Sequence, residues 1–239
     1  LAACGLVGDD ANGQWIKRDC QNHRIDVSML HLSQEHPTSY TDAMTVQSTG
    51  RRTFFHCRGA NAHFDLKHCG FGKTNARILH LGYLMLLDRM DTFEGGQTIA
   101  AKLLFNARSA GLETSVDMVS ASHPQFREIA LSALPLTDHL FVNEVEAGRT
   151  LNQTIAADDA AALFRASEEL LGLGVKKTVT ILLASLLTVI VGCASYEPLA
   201  SMRGTGVAAA DPAVPPPDVL DRVGHGVPLA RRGGRRQPG

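Results

Sequence analysis

The chain has 239 residues, 44% of them hydrophobic and 20% charged, and a formal net charge of −1. That length holds one large domain or two small ones around a buried core, and the balance is that of an ordinary globular protein. The near-neutral charge gives no reason to expect nucleic acid or an anionic membrane surface. The five cysteines (Cys4, Cys20, Cys57, Cys69, Cys193), irregularly spaced and odd in number, argue against a disulfide scaffold and suit a reducing cytoplasm.

The chain starts at Leu1, already inside a pattern and without a methionine, so it reads as a fragment. Leu6 to Gly13 looks like a strand end turning into a helix that carries Trp15, Ile16 and Cys20, with Asp9 or Asp10 capping the free backbone N–H groups. Its glycine spacing is not that of a dinucleotide fold, and no Gly-Lys-Ser/Thr follows as in a Walker A loop. Thr38 to Gln47 is rich in β-favouring residues. A turn at Ser48–Arg51 leads to the strand-like run Thr53–His56, so the two runs predict a β-hairpin. The second strand runs into Arg58-Gly59-Ala60-Asn61, where small residues allow close backbone approach. Taken alone, this is an edge hairpin with a tight exit turn.

Asp65 to Ala76 reads as a polar loop and Arg77–Gly82 as a buried-type strand. Asp91, with Glu94 three residues on, predicts a helix start. That helix would bury Phe93, Ile99, Ala100, Leu103, Leu104 and Ala107 on one face and end near Gly111. Further strands are expected at Thr114–Val119, Leu140–Asn143 and Val175–Ile181. Helices are expected after His123-Pro124, from Glu144 and over about Ala156–Leu171. Strand–helix alternation at this spacing means βαβ units and a mostly parallel sheet, with ligands at the carboxyl ends of its strands. Asp117 and Asn143 fall at such ends.

Four pieces in order resemble the ribokinase-like (PfkB-type) carbohydrate kinases, over about Gly5 to Ile181. Gly5, Gly8, Asp10 and Gly13 fall on that family's Gly-x-x-Gly-x-Asp-x-x-Gly segment, with Ile25-Asp26-Val27 as the short strand before its lid. The Thr49–Ala62 stretch matches the lid hairpin, Val116-Asp117 a sheet strand, and Asn143-Glu144-Val145-Glu146 the Asn-x-x-Glu motif. The resemblance implies an α/β fold, a three-layer sandwich with a mostly parallel sheet and a small β lid. The kinase body would be residues 1–181, with the lid at about 38–62. It further implies ATP- and Mg²⁺-dependent phosphorylation of a sugar or nucleoside hydroxyl. Asn143 and Glu146 would orient hydrated Mg²⁺ and phosphates, without a direct metal ligand, and Arg58 and Asn61 would lie on the substrate side of the lid. The motif's own residues leave another reading open: Asn143 as a helix N-cap with Glu146 as its capping-box partner. The expected partner is a small sugar or nucleoside, not nucleic acid or membrane, with room for a homodimer through the lid. The expected location is cytoplasmic. The family's Gly-Gly-Asn sugar-binding segment would precede Leu1.

Beyond Ile181 the pattern diverges, and residues 182–239 form a separate segment. Thr178–Tyr196 has no charged residue, follows Lys176-Lys177, and leads to Ile190-Val191-Gly192-Cys193, which resembles a lipoprotein signal cleavage site. Two readings stand here: a core strand with an irregular continuation, or a fusion with such a signal. In Val214–Val227 the family's anion-hole turn returns in degraded form. Asp221, Val223, Gly224 and Gly226 fit, His225 replaces a small residue, and Val227 stands where the family has its Asp base. A Pro/Gly-rich disordered tail accounts for the same residues, and Arg231–Arg236 reads as a basic tail or a shifted frame. The resemblance therefore implies a kinase impaired or inactive as it stands; a non-catalytic sugar- or nucleotide-binding remnant, or a chimeric product, is the alternative. Other chemistry has less support. His56, Cys57, His63, His68 and Cys69 cluster in sequence but lack the Cys-x2-Cys spacing of a zinc site. Ser120 and Ser122 lack a nucleophile elbow, and His80 reads as a satisfied core residue.

Overall fold

The computed structural model describes residues 1–72, 74–183 and 188–192, the last five by their backbone. Cys193, the Gly224, Gly226 and Val227 positions and the Arg-rich end lie outside the described residues.

The chain opens with strand β1 (Ala2–Gly8), helix α1 (Ala11–Asn22) and strand β2 (Asp26–Ser33), and β1 and β2 pair in parallel as a sheet of their own. Asp10, of the two candidate caps, starts α1 by accepting from the Gly13 N–H at 2.9 Å. The predicted hairpin follows as β3 (Tyr40–Thr45) and β4 (Arg52–Cys57), antiparallel and in regular register. The polar loop after it is shaped by two short 3-10 turns, Gly59–His63 and Leu66–His68.

The main sheet comprises β5 (Ile78–Leu84), β8 (Glu113–Met118), β9 (His139–Asn143), β10 (Thr178–Leu182) and β11 (Thr188–Gly192), in the order β11-β10-β9-β8-β5. The first four are parallel, and β11 returns antiparallel to β10. Helices α2 (Ile99–Ser109), α3 (Phe126–Ala133), α4 (Glu144–Leu151) and α5 (Ala160–Gly172) fill the connections. Their apolar faces and the sheet form one core, in which Leu103, Ile129, Leu163, Val116, Leu140 and Ile181 are wholly buried. Burying apolar area of this kind is the main favourable term in the fold.

Two expectations are corrected. Asp91 and Glu94 do not start a helix. Gly95 and Gly96 both take positive φ (66° and 83°), which turns the chain into a small hairpin of β6 (Phe93–Glu94) and β7 (Gln97–Thr98). The helix waits for Thr98, whose hydroxyl accepts from the Ala101 N–H. Asp91 is instead buried, accepts from the Met85 N–H at 3.1 Å, and has its pKa raised to about 7 by that burial. The second correction is β5. Sequence suggests a fully buried strand, yet only Leu81 and Leu84 are buried and Ile78 is half exposed. The reason is position: among the described residues β5 pairs only with β8, and its other side lines a cavity of about 660 Å³. The far wall of that cavity is β1, with Cys4, Gly5 and Leu6.

Candidate active site

The two edges of the parallel sheet carry carboxylates in opposite electrostatic states. At the edge where strands begin, Asp138 is buried and accepts from the Thr114 N–H at 2.9 Å and the Thr114 hydroxyl at 3.1 Å, and from Arg108 Nη1 at 2.7 Å. Burial alone would raise its pKa, but these hydrogen bonds and the guanidinium hold it below the usual carboxylate range. Glu113 on the same edge pairs with Lys177 and with His139 Nε2 at 3.0 Å, and its pKa is lowered as well.

At the edge where strands end, Asp117 closes β8 and Asn143 closes β9, their strands held adjacent by the Asp117–Phe141 register. Asn143 caps α4. Its Oδ1 accepts from the Glu146 N–H at 2.9 Å, and its own N–H donates to Glu146 Oε2 at 2.8 Å. Glu146 is buried, and its Oε1 accepts from the Ser120 hydroxyl at 2.7 Å and Asn143 Nδ2 at 2.9 Å. Burial raises the pKa of Glu146, and the nearby charge of Asp117 adds to that; burial likewise raises Asp117. Among the described residues neither carboxylate has a lysine or arginine partner. Arg149, one turn along α4 from Glu146, donates instead to the Ser120 and Ala121 carbonyls. Two carboxyl groups raised in pKa by burial at the ligand edge of an α/β sheet make this edge the candidate site.

The root of the lid is a second constellation. Gly59 has φ 47°, and a Cβ there would lie 2.3 Å from the Pro37 carbonyl oxygen, so only glycine admits the crossing. Arg58 turns to Asp88 and donates to the Met85 carbonyl. Asn61 Nδ2 donates to the Ser39 hydroxyl at 2.8 Å, and the residue lines the cavity between β1 and β5. Asp10 reaches across from α1: Oδ2 accepts from the Thr38 N–H and Oδ1 from the Thr38 hydroxyl, each at 2.7 Å. These bonds hold the Asp10 pKa down to about 2. His80 lines the same cavity and exchanges a hydrogen bond with Ser115.

The four described residues nominated for the site thus fall in two places: Asn143 and Glu146 bonded to each other at the sheet edge, Arg58 and Asn61 at the lid root. Both readings of Asn143 and Glu146 survive, because the capping box is fully formed and still faces Asp117. For a metal ion the geometry is selective. Every Glu146 oxygen is already hydrogen-bonded by protein, so the pair suits an ion kept at a distance by its own waters. Among the described residues Asp117 accepts from the Met118 N–H alone, and it adds negative charge there. Ser120, Arg149 and Thr38 are the residues sequence reasoning missed. Thr38 alone had a signal, as the residue where the strand-like run begins. The sequence-clustered His and Cys residues separate in space: His63 stacks on His36, His68 contacts His31, and Cys69 meets Cys4.

Comparison with known proteins bears on this arrangement directly. The family model described as pfkB family carbohydrate kinase matches residues 1–198. No curated protein sequence matches the chain. Among solved structures, ribokinase from Giardia lamblia superposes with a TM-score of 0.62 at 19% identity, covering 82% of this chain and 57% of that one. Fructokinase with bound ATP from Xylella fastidiosa gives 0.59 at 15%, covering 80% and 59%. Fructokinase from Vibrio cholerae O395 in apo form gives 0.60 at 16%, covering 80% and 62%. At these identities the likeness is one of fold, that of ribokinase-like proteins, and the chain spans about three fifths of each of these three structures.

Proposed function

The chain belongs to the pfkB family of carbohydrate kinases, and from that premise we propose that it serves ATP-dependent phosphorylation of a sugar or nucleoside hydroxyl at the carboxyl edge of β8 and β9. The observation that carries this reading is the pair of carboxyl groups, Asp117 and Glu146, without a lysine or arginine partner among the described residues, at the ligand edge of a sheet whose other edge pairs Asp138 with Arg108 and Glu113 with Lys177. ATP would supply the transferred phosphoryl group, and hydrated magnesium the positive charge that phosphoryl transfer requires. The chain's own part is to hold Glu146 and Asn143 rigidly through Ser120, so that their charge and dipole are fixed before ligand arrives. Arg58 and Asn61 would position the acceptor at the lid root. The exposed apolar residues of the hairpin, Tyr40, Met44, Phe54 and Phe55, suit closure over a ligand or pairing of two lids in a homodimer. Among the described residues no helix is long and apolar enough to cross a membrane, and we place the working protein in the cytoplasm.

Turnover would be impaired in this chain. Val227, which stands in sequence where the resemblance implies the family's Asp base, has no atom that can take the proton from a hydroxyl. Nucleotide binding without turnover is therefore the second reading, and it rests on that residue. Calorimetry with Mg-ATP tests the first. Glu146→Gln should weaken binding by about 1–3 kcal/mol, the worth of a hydrogen bond to a charged group. Equal affinity in both forms would leave Glu146 a helix cap and nothing more. Sugar-dependent ATP consumption that appears only with Val227→Asp would separate an impaired kinase from a binding module.

A further inference from the structure

Outside the sheet edge, one pair of reactive groups has no part in the proposed phosphoryl transfer. Cys4 in β1 and Cys69, just past the Leu66–His68 turn, are 65 residues apart in sequence, yet their Sγ atoms lie 2.7 Å from each other. Both are half-buried, and both line the cavity between β1 and β5, which gives a small reagent a way in. Their surroundings hold them there. Cys4 Sγ also reaches the His68 carbonyl, and that carbonyl is held by His31 Nε2 at 3.0 Å, so the turn is fastened to both strands of the β1–β2 pair. Cys20 and Cys57 have no such neighbour among the described residues.

We propose that Cys4 and Cys69 are a thiol–disulfide switch, closed by exchange with a low-molecular-weight disulfide such as oxidised glutathione, that staples β1 to the segment behind the lid and ties together the cavity wall carrying Asn61. The sulfurs need approach by only about 0.7 Å to reach bonding distance. The two thiols share a hydrogen bond in which either sulfur can donate; that bond lowers the Cys4 pKa, and it and burial raise that of Cys69, so Cys4 serves as the attacking thiol. In the first step the Cys4 thiolate attacks one sulfur of the small disulfide, forming a mixed disulfide and releasing one thiolate. In the second, Cys69 gives its proton to that thiolate and attacks Cys4 Sγ, releasing the second small thiolate, which takes up from water the proton that Cys4 shed before the first step. Two protein thiols are oxidised to one disulfide and one small disulfide is reduced to two thiols. A reducing cytoplasm keeps the pair open, and an oxidising shift closes it.

The test is to equilibrate the folded, full chain with reduced and oxidised glutathione at graded ratios, count free thiols, and map disulfides by peptide mass spectrometry. Two of the five thiols should be lost together, with a Cys4–Cys69 linked peptide. Cys69→Ser should instead trap a glutathione adduct on Cys4, whereas Cys20→Ser should leave the linkage unchanged. The same oxidation in denaturant should scramble the pairing. Adducts spread over several cysteines without the linked peptide, a link from Cys69 to a different cysteine, or the same pairing in the denatured chain would each overturn the proposal.

Discussion

The two edges of the parallel sheet are built from similar residues and teach opposite lessons. Where strands begin, Asp138 and Glu113 are matched with Arg108, Lys177 and His139, and their pKa values are driven down. Where strands end, Asp117 and Glu146 are half-buried or buried, have no Lys or Arg partner among the described residues, and have pKa values driven up. One edge is arranged to hold itself together. The other keeps negative charge uncompensated at a cost in stability, which is what a site for a cationic or cation-carrying ligand requires. The difference arises at the strand termini. Both carboxylates accept from neutral donors, Asp138 from the Thr114 N–H and hydroxyl and Glu146 from Asn143 and Ser120, but only Asp138 of the two also has a guanidinium, that of Arg108, among the described residues.

The largest effect expected from this comparison is at the paired edge. Asp138→Ala removes the acceptor for Thr114 and the partner of Arg108, and leaves a buried N–H without a partner. The loss should be about 3 kcal/mol of unfolding free energy by urea denaturation. Arg108 is itself partly exposed, so water would satisfy it and the cost falls on Thr114. A loss below about 1 kcal/mol would mean the beginning edge holds together by packing alone.

Much of this contrast was legible beforehand, and the illegible part has a physical cause. Strand ends at Asp117 and Asn143 followed from strand–helix alternation, and the Asn143–Glu146 spacing gave the capping box, because both depend on neighbours close in sequence. The lid hairpin was legible for the same reason. Ser120, Arg149 and the Thr38–Asp10 bonds come from segments 23 to 29 residues apart, brought together by the sheet, and no local pattern announces them. Asp91 misled for a related reason: a capping-box spacing was present, but the Gly95-Gly96 turn after it decided the backbone. The β11 reversal also went unread, since an apolar run has the same composition whether it continues or turns back.

A mid-sized effect should appear in the pH dependence at the unpaired edge. The folded pKa of Glu146 is raised above its ordinary 4.5, so its protonated form is the one folding favours. Its contribution is then complete below about pH 4.5 and is lost as pH rises through the folded value. Glu146→Gln removes that slope, and its stability relative to wild type should climb with pH across this window, ending within about 1 kcal/mol of wild type at neutral pH. Asp138 has the reverse sign: its stabilisation is present above the ordinary 3.8 and lost as pH falls through the lowered folded value. Denaturation profiles against pH read both slopes. Parallel slopes for Glu146→Gln and wild type would mean that Glu146 is not destabilised as an ion, and the asymmetry between the edges would be gone.

The smallest effect sharpens the comparison by asking which part of the paired edge matters. Lys177 and Glu113 form an ion pair whose side chains are 33% and 43% exposed. Water screens such a pair, and holding two long side chains in place costs entropy, so its coupling should be under about 1 kcal/mol. A double-mutant cycle with Glu113→Gln and Lys177→Met measures it. Glu113 also meets His139, but that contact is absent from both forms carrying Gln and so cancels in the cycle. The coupling should shrink further as salt is added, because exposed charges are screened over about 8–10 Å at moderate ionic strength. A coupling above about 2 kcal/mol, indifferent to salt, would show that surface pairing contributes to the beginning edge as much as the buried Asp138 does. The contrast between the edges would then be one of charge pairing in general. The expected small value would place it in the two buried carboxylates, Asp138 bonded to Arg108 and Glu146 to neutral donors, alike in depth and different in partners.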